Sequence, residues 1–380
     1  MKKIVTIGEL GIIITGNTPP RSNPILYGNY TPFIKATDIS ETEKYTYHPE
    51  EYYSEEGYNK YIKSLIPKGS TCVVTIGSIG KKMTMAHCDL FINQAMNAII
   101  PNENFDNEYV YYAVKNILPN IKMLDSGKAS GRENVSKSAF SKMQILIEDN
   151  IITQRRIAEI LSRYDSLIEN YQKQIKLLEE SAQRLYKEWF VDLRFPGHEN
   201  TKIVDGVPEG WEKTCLKEVS HILTGKKDAN FGDVGGEYLF FTCAKEPIRA
   251  SSYSFDCDAV ILAGNGDFNV KLYRGKFEAY QRTYVFSPFN SINLFLLFYS
   301  VNSSMQQLFM GASGSTIKFL TKQMLEQISI LLPSSKIATQ FYEVCDRNQK
   351  KVEILKRQID ILTEARDRLL PKLMNGEIEV

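Results

Sequence analysis

The 380-residue chain predicts an α+β protein built twice over: two similar mixed α/β domains, separated by two long helices that form an antiparallel coiled coil with pseudo-two-fold symmetry. Three observations predict this. Short motifs recur in the same order in both halves, a heptad stripe recurs in the same phase 184 residues later, and the length suffices for two domain-sized cores plus spacers.

The duplicated motifs define the domains. Near each domain start, Ile14-Thr15-Gly16 is echoed by Leu223-Thr224-Gly225. Gly77 and Gln94 lie 17 residues apart, as do Gly264 and Gln281. Late in each domain a Ser-Gly pair, Ser130-Gly131 or Ser313-Gly314, precedes by 14 residues a short β-like run, Ile145-Leu146-Ile147 or Ile328-Ser329-Ile330. Chance supplies any one of these, but their common order, ending each time in a long helix, points to duplication. Strands are expected over Cys72 to Ile76, Asn97 to Ile100 and Ala259 to Leu262, and helices over Asn107 to Ile117 and Ile292 to Leu308.

The long helices are read from apolar spacing. Ile157, Leu161, Tyr164, Ile168, Tyr171, Ile175, Leu178, Ala182, Leu185 and Trp189 alternate by four and three residues, the seam of a coiled coil. The second seam runs Phe341, Cys345, Asn348, Val352, Leu355, Ile359, Leu362, Arg366, Leu369, Leu373, interrupted only by Asn348 and Arg366. Isolated polar seam residues commonly set register or partner choice. One such stripe alone suits an ordinary core helix. Two in one phase favour a helix pair. Pro196-Gly197 and Pro208-Glu209-Gly210-Trp211 bracket the turn-rich boundary between halves. The expected segments are therefore 1–150 and 193–333 for the domains, and 151–192 and 334–380 for the helices.

Composition narrows the function classes. A hydrophobic fraction of 43% and a charged fraction of 24% are those of a folded chain. The apolar stretch Leu294 to Tyr299 is far too short to cross a bilayer, and Met1-Lys2-Lys3 leads into no secretory segment, so a cytoplasmic location and no membrane partner are expected. Six cysteines without a Cys-x-x-Cys pair and four scattered histidines predict neither a disulfide framework nor structural zinc. Net charge is +1, so only a local basic surface could bind nucleic acid. Enzyme motifs fail on inspection. In Asn17-Thr18-Pro19-Pro20 a threonine interrupts, and Arg21 replaces the aromatic of, an Asn-Pro-Pro-aromatic methyltransferase motif. Gly264-Asn265-Gly266-Asp267 precedes no helix that would cradle a phosphate, and its counterpart Gly77-Ser78-Ile79-Gly80 marks a repeated turn. No phosphate loop, catalytic cysteine or catalytic serine context is present.

The seam from Ile157 to Trp189 spans 32 residues, about 48 Å at about 1.5 Å per residue. A DNA turn is about 34–36 Å. A rod of that length, with a reader at each end, predicts two half-sites around an unread spacer, and diverged domains predict half-sites of different sequence.

Three runs carry a family resemblance: Pro208-Glu209-Gly210-Trp211-Glu212 followed by Gly225; Leu185-Tyr186-Lys187-Glu188-Trp189-Phe190-Val191-Asp192; and Ala365-Arg366-Asp367-Arg368-Leu369-Leu370-Pro371-Lys372-Leu373-Met374-Asn375-Gly376-Glu377-Ile378. With them, essentially the whole chain resembles the specificity subunits of type I restriction-modification systems. The resemblance implies two target-recognition domains and two spacer helices. It further implies binding of double-stranded DNA and assembly with two methyltransferase subunits and, in restriction, a nuclease/translocase subunit. Catalysis belongs on this reading to those partners, as do S-adenosylmethionine, magnesium and ATP; this chain is expected to bind no cofactor. The Ser130-Gly131 pair continues as Arg132-Glu133-Asn134, departing from the family pattern that Ser315-Thr316-Ile317-Lys318 keeps.

Base readout calls for side chains with paired donors and acceptors, with Lys on phosphates. The first-domain candidates are Lys35, Thr37, Ser78, Lys81, Lys82, Asn93, Gln94, Lys128, Ser130 and Arg132. Those of the second are Lys226, Lys227, Lys245, Asn265, Asn269, Lys271, Gln281, Arg282, Ser315 and Lys318. A lysine here is as readily a solvated charge; Gln94 and Gln281 stand out by recurring, though a buried structural amide would recur too. Met83, Met85, Tyr111, Tyr112 and Phe240-Phe241 are expected in the core. Helix-pair and subunit contacts are assigned to Ile157, Leu161, Tyr164, Ile168, Ile175, Leu178, Leu185, Trp189, Phe190, Val352, Leu355, Ile359, Leu362, Leu369 and Leu373. The outer helix faces, including Lys173, Lys176, Glu179 and Arg184, either meet partners or are solvated. The large apolar groups at the helix ends, Trp189-Phe190 and Leu369-Leu370, argue for partners. The competing reading is a coiled-coil interaction or inhibitor protein that binds a protein without reading DNA.

Overall fold

A computed structural model describes residues 2–125, 133–266, 268–311 and 319–380, which form two compact units. One comprises residues 1–173 with 355–380, the other residues 174–354. These units group the chain differently from four successive segments, because both long helices are divided between them. The reason is burial: each half of a helix joins the core that covers its apolar face.

In the first unit, β1 (Lys2–Thr6) pairs antiparallel with β9 (Gln144–Glu148). A four-stranded antiparallel sheet has the order β2 (Gly11–Thr15), β8 (Met96–Pro101), β5 (Thr71–Val74), β6 (Met83–Met85). A smaller sheet sets β3 (Tyr27–Ile34) antiparallel to β4 (Glu51–Tyr53) and parallel to β7 (Phe91–Ile92). Three short helices, α1 (Glu55–Tyr61), α2 (Asn107–Ile117) and α3 (Lys137–Lys142), start where Ser54, Asp106 and Ser136 accept a first-turn amide, as N-caps do. The long helix α4 (Ile151–Tyr186) starts in the same way, with Asn150 Oδ1 accepting from the Ile152 amide at 2.8 Å.

The second unit repeats the plan. β10 (Ile203–Val204) and β11 (Val207–Pro208) form a hairpin turned by Asp205-Gly206, both at positive φ, the pair such two-residue turns favour. β12 (Glu212–Cys215) pairs with β19 (Ser329–Leu332), as β1 pairs with β9. A six-stranded sheet has the order β13 (Ser220–Thr224), β18 (Thr283–Pro288), β16 (Phe255–Ala263), β17 (Val270–Ala279), β14 (Tyr238–Phe241), β15 (Ile248–Ala250). β14 runs parallel to β17, the only parallel pair in this sheet. Helices α5 (Leu294–Gly311) and α6 (Lys322–Glu326), with the part of α7 (Ser335–Asn375) before residue 355, complete it. Gly376, at φ +78°, ends α7, its amide reaching the Leu373 carbonyl.

Both cores run onto the long helices. Ile157 and Leu161 of α4 share the first core with Tyr109, Tyr112, Phe140 and with Leu370, Leu373 and Met374 of α7. Asp165 meets Arg366 at 2.5 Å, while Ile168 and Gln172 line one cavity with Ile359 and Thr363. Rising numbers on α4 meet falling numbers on α7, so the helices run antiparallel in this unit. The second unit gives the same result. Leu178 and Ala182 line a cavity with Cys345, Asn348 and Val352, and Phe190 meets Phe341 edge-on at 4.8 Å.

The helix-end aromatics correct one expectation. Lys187–Val191 is a π-helical turn, which widens the helix so that the neighbours Trp189 and Phe190 both reach Phe341. Phe190 also packs on Trp211 and is buried. At the other end, Leu370 is buried beside α4's Ile157 and Leu161. Phe190 and Leu370 thus fill the chain's own cores, while Trp189 and Leu369 remain half-buried.

Candidate nucleic-acid interface

The duplicated motifs converge on one loop cluster in each unit. In the first, β2 and β8 place Thr15 opposite Asn97, and the chain leaves the sheet at Gly16. The Gly16 amide donates to the Met96 carbonyl at 3.1 Å and the Asn17 amide to Ile92 at 2.9 Å. The Asn93-Gln94 turn therefore lies on the Thr-Gly loop, with the Thr18 hydroxyl on Gln94 Oε1. The Asn93 amide donates to Ile34, which brings in the loop after β3, and the Ile76 amide donates to Ala95, which brings in the glycine loop. The Gly77 amide then donates to Glu133 at 3.0 Å, joining the segment that follows the Ser-Gly pair.

The second unit brings the corresponding loops together. The Gly225 amide donates to Thr283 at 3.1 Å, the Tyr280 amide to Phe241 at 2.9 Å, and the Gln281 amide to Lys227 at 2.9 Å. The Gly264 amide donates to Arg282 at 2.8 Å, and the Leu320 amide to Gly264 at 2.9 Å. The two glycines of the Thr-Gly motif are required by contact: a β-carbon on either would stand within 2.5 Å of backbone carbonyl oxygens of the Gln turn.

Within these clusters the side chains divide. Thr37, Ser78, Lys81 and Gln94 are exposed in the first, as are Lys226, Lys245, Gln281 and Arg282 in the second. Lys81, Lys226, Lys245 and Arg282 make no ion pair among the described residues. Asn93 is half-buried, and its Oδ1 has no hydrogen-bond partner among the described residues. Asn265 is half-buried at a bridge to Phe319. Others are engaged internally. Lys35 binds Glu50 at 2.6 Å and Glu51 at 3.2 Å, and the hydrogen bond to Glu50 raises its pKa. Lys82 reaches the Ala36 carbonyl at 3.5 Å, and Lys227 lies over the Phe231 ring. Asn269 donates to Cys243 O at 2.9 Å and Lys271 to Ala244 O at 2.8 Å, with burial lowering the pKa of Lys271. Lys35, Asn269 and Lys271 are thus loop braces rather than free contacts, because each sits where two loops cross. Lys128, Ser130, Arg132, Ser315 and Lys318 lie outside the described residues.

Asn17 to Pro20 form a loop held by the Tyr53 and Tyr27 hydroxyls on the carbonyls of Asn17 and Pro19. The core aromatics and methionines singled out from the sequence are all buried. The sequence reading missed two ion pairs on the long helices, one buried and one half-buried. Asp165, one position off the seam, takes both Arg366 and the Tyr112 hydroxyl. Arg274 of β17 binds Asp346 of α7 at 2.7 Å and stacks on Phe295. Spacing could have flagged Asp165, whose side chain is 8% exposed, only through its place opposite the polar seam residue Arg366. Among the described residues no group of His, Cys, Asp or Glu could hold a metal ion, and no helix is long and apolar enough to cross a membrane.

Comparison with known proteins agrees with this duplication. The type I restriction modification DNA specificity domain matches twice, over residues 2–180 and 208–370. The chain is 25% identical to the MjaIX type I specificity subunit of Methanocaldococcus jannaschii, over 100% of this chain and 93% of that protein. It is 39% identical to the EcoDI specificity subunit of Escherichia coli over 45% of this chain and 39% of that one. The fold resembles the crystal structure of a type I S subunit from M. genitalium, with a TM-score of 0.62, 16% identity and coverage of 98% and 96%. The chain belongs to the type I restriction-modification DNA specificity family.

Proposed function

We propose that this chain is the non-catalytic reading subunit of a type I complex, in which each loop cluster reads one half of a bipartite, asymmetric double-stranded DNA target. The observation that carries the reading is the duplication itself. Corresponding loops are tied together by backbone hydrogen bonds in both units, two of them at matching positions (Gly16 to Met96 and Gly225 to Thr283; Asn93 to Ile34 and Tyr280 to Phe241), while the side chains they present differ. A shared frame with diverged side chains is what reading two different half-sites requires. Methyl transfer and cleavage then belong to two methyltransferase subunits and a nuclease/translocase, which would hold S-adenosylmethionine, magnesium and ATP. Co-expression with a methyltransferase subunit, followed by mapping of genomic methyladenine, is expected to reveal one bipartite motif with unlike halves. No such motif with an active partner present would refute the reading. A gel-shift series over salt separates it from a protein-binding coiled coil: a reader keeps its preference for one sequence as salt rises, whereas non-specific attraction fades uniformly.

A further inference from the structure

The two long helices share a heptad phase 184 residues apart, so their apolar seams alone do not distinguish α7 from a second copy of α4. Asn348 adds a neutral polar group to the α7 seam, and one charged layer breaks this equivalence. Arg366, 3% exposed, is a polar seam residue of α7, and it binds Asp165 of α4, which also accepts the Tyr112 hydroxyl from α2. Shifting each position by the repeat carries Asp165 onto Gln349 and Arg366 onto Ala182. Those two line one small cavity in the second unit together with Tyr299. Tyr299 is the counterpart of Tyr112, since Phe298-Tyr299-Ser300-Val301 repeats Tyr111-Tyr112-Ala113-Val114. The equivalent layer of the second unit therefore pairs two uncharged residues.

We propose that the Asp165–Arg366 layer selects pairing between the unlike helices of one chain and rejects pairing between like helices of two copies. In an antiparallel pair of two α7 helices at the same register, Arg366 would face Gln349. In a pair of two α4 helices, Asp165 would face Ala182. Every buried charge of the layer would lose its partner, and a buried charge left unpaired is strongly unfavourable, whereas the intact pair need add little stability of its own. A single charged layer thereby does what the apolar seam cannot, in the way a polar seam residue chooses among coiled-coil partners. It keeps two diverged loop clusters on one chain's own helix pair.

The test uses the full-length chain, unfolded in urea and refolded over a series of concentrations, with mass read by light scattering. The apolar variant D165L/R366L removes the charges from the layer while leaving a well-packed seam. The reciprocal variant A182R/Q349D copies the charged layer into the second unit, so that like-with-like pairs regain partners. Both variants are expected to raise the dimer fraction at least roughly tenfold over the wild-type chain at equal concentration. Exchange that keeps α4 on α7 of another copy preserves the charge pair, so in the wild-type chain it sets the background to be exceeded. A D165L/R366L chain that unfolds cooperatively and refolds as monomeric as wild type overturns the proposal, whether or not A182R/Q349D folds.

Discussion

Replacing Gly225 by alanine tests whether the loop cluster is a fixed frame. The new β-carbon would stand 2.0 Å from the carbonyl oxygen of Ala279 and 2.4 Å from that of Tyr280, where ordinary contact begins near 3.4 Å. Both atoms are backbone, so no side-chain rotation relieves the overlap, and the turn that leads into Gln281 must retreat by about 1.4 Å at Ala279 to restore ordinary contact. Retreat breaks the Gly225–Thr283 and Gln281–Lys227 backbone hydrogen bonds. At about 1 kcal/mol each plus residual strain, the expected destabilisation is about 2–4 kcal/mol. Gly16→Ala is equivalent in the first unit, with oxygens of Asn93 and Ile92 at 2.2 and 2.3 Å. The control is Gly210→Ala, where nothing lies within 4 Å and only the φ of +78° is strained, costing about 1 kcal/mol. Urea unfolding measures the stability change, and methyladenine mapping with a methyltransferase partner measures the reading. Gly225→Ala should blur one half of the motif and Gly16→Ala the other. Wild-type midpoints with both halves intact would refute the assignment of these loops as the reading frame.

Two further outcomes follow from the buried charges of the first unit. Arg366→Ala strands Asp165 and should destabilise by about 3–5 kcal/mol in urea unfolding, while D165L/R366L should lie near wild type; equal losses in both would mean that packing, not charge, holds this layer. Lys115 is half-buried, and this desolvation, with repulsion from Arg366 and Lys44, lowers its pKa to about 8. In the unfolded chain its pKa is about 10.4, so between pH 8 and 10 the unfolded state binds more protons and stability rises with pH through this group. Below pH 8 both states are protonated and the dependence vanishes. Lys115→Met should remove that rise, measured as urea midpoints between pH 7 and 9.5; an unchanged slope would show that Lys115 titrates like a surface lysine. Above that range Tyr111 and Tyr112, whose pKa values burial raises, oppose the trend because the folded state keeps their protons.

The sequence by itself determined the features that repeat. Heptad spacing, the 17-residue Gly–Gln interval and the order of motifs are periodic along the chain, and periodicity survives without knowing what touches what. Hence the two long helices, the duplicated domains and the strands around Cys72, Asn97 and Ala259 were legible in advance. Contact across elements was not. Asp165 looks like any solvated carboxylate on a helix until α2 and α7 close over it, and Lys35, Asn269 and Lys271 look like free surface groups until neighbouring loops supply their acceptors. Trp189 and Phe190 look like a partner's landing site until a π turn faces both toward Phe341. Only tertiary structure decided these, because the desolvation that makes a charge a lock, or an aromatic a core residue, is a property of what packs against it rather than of its place in the chain.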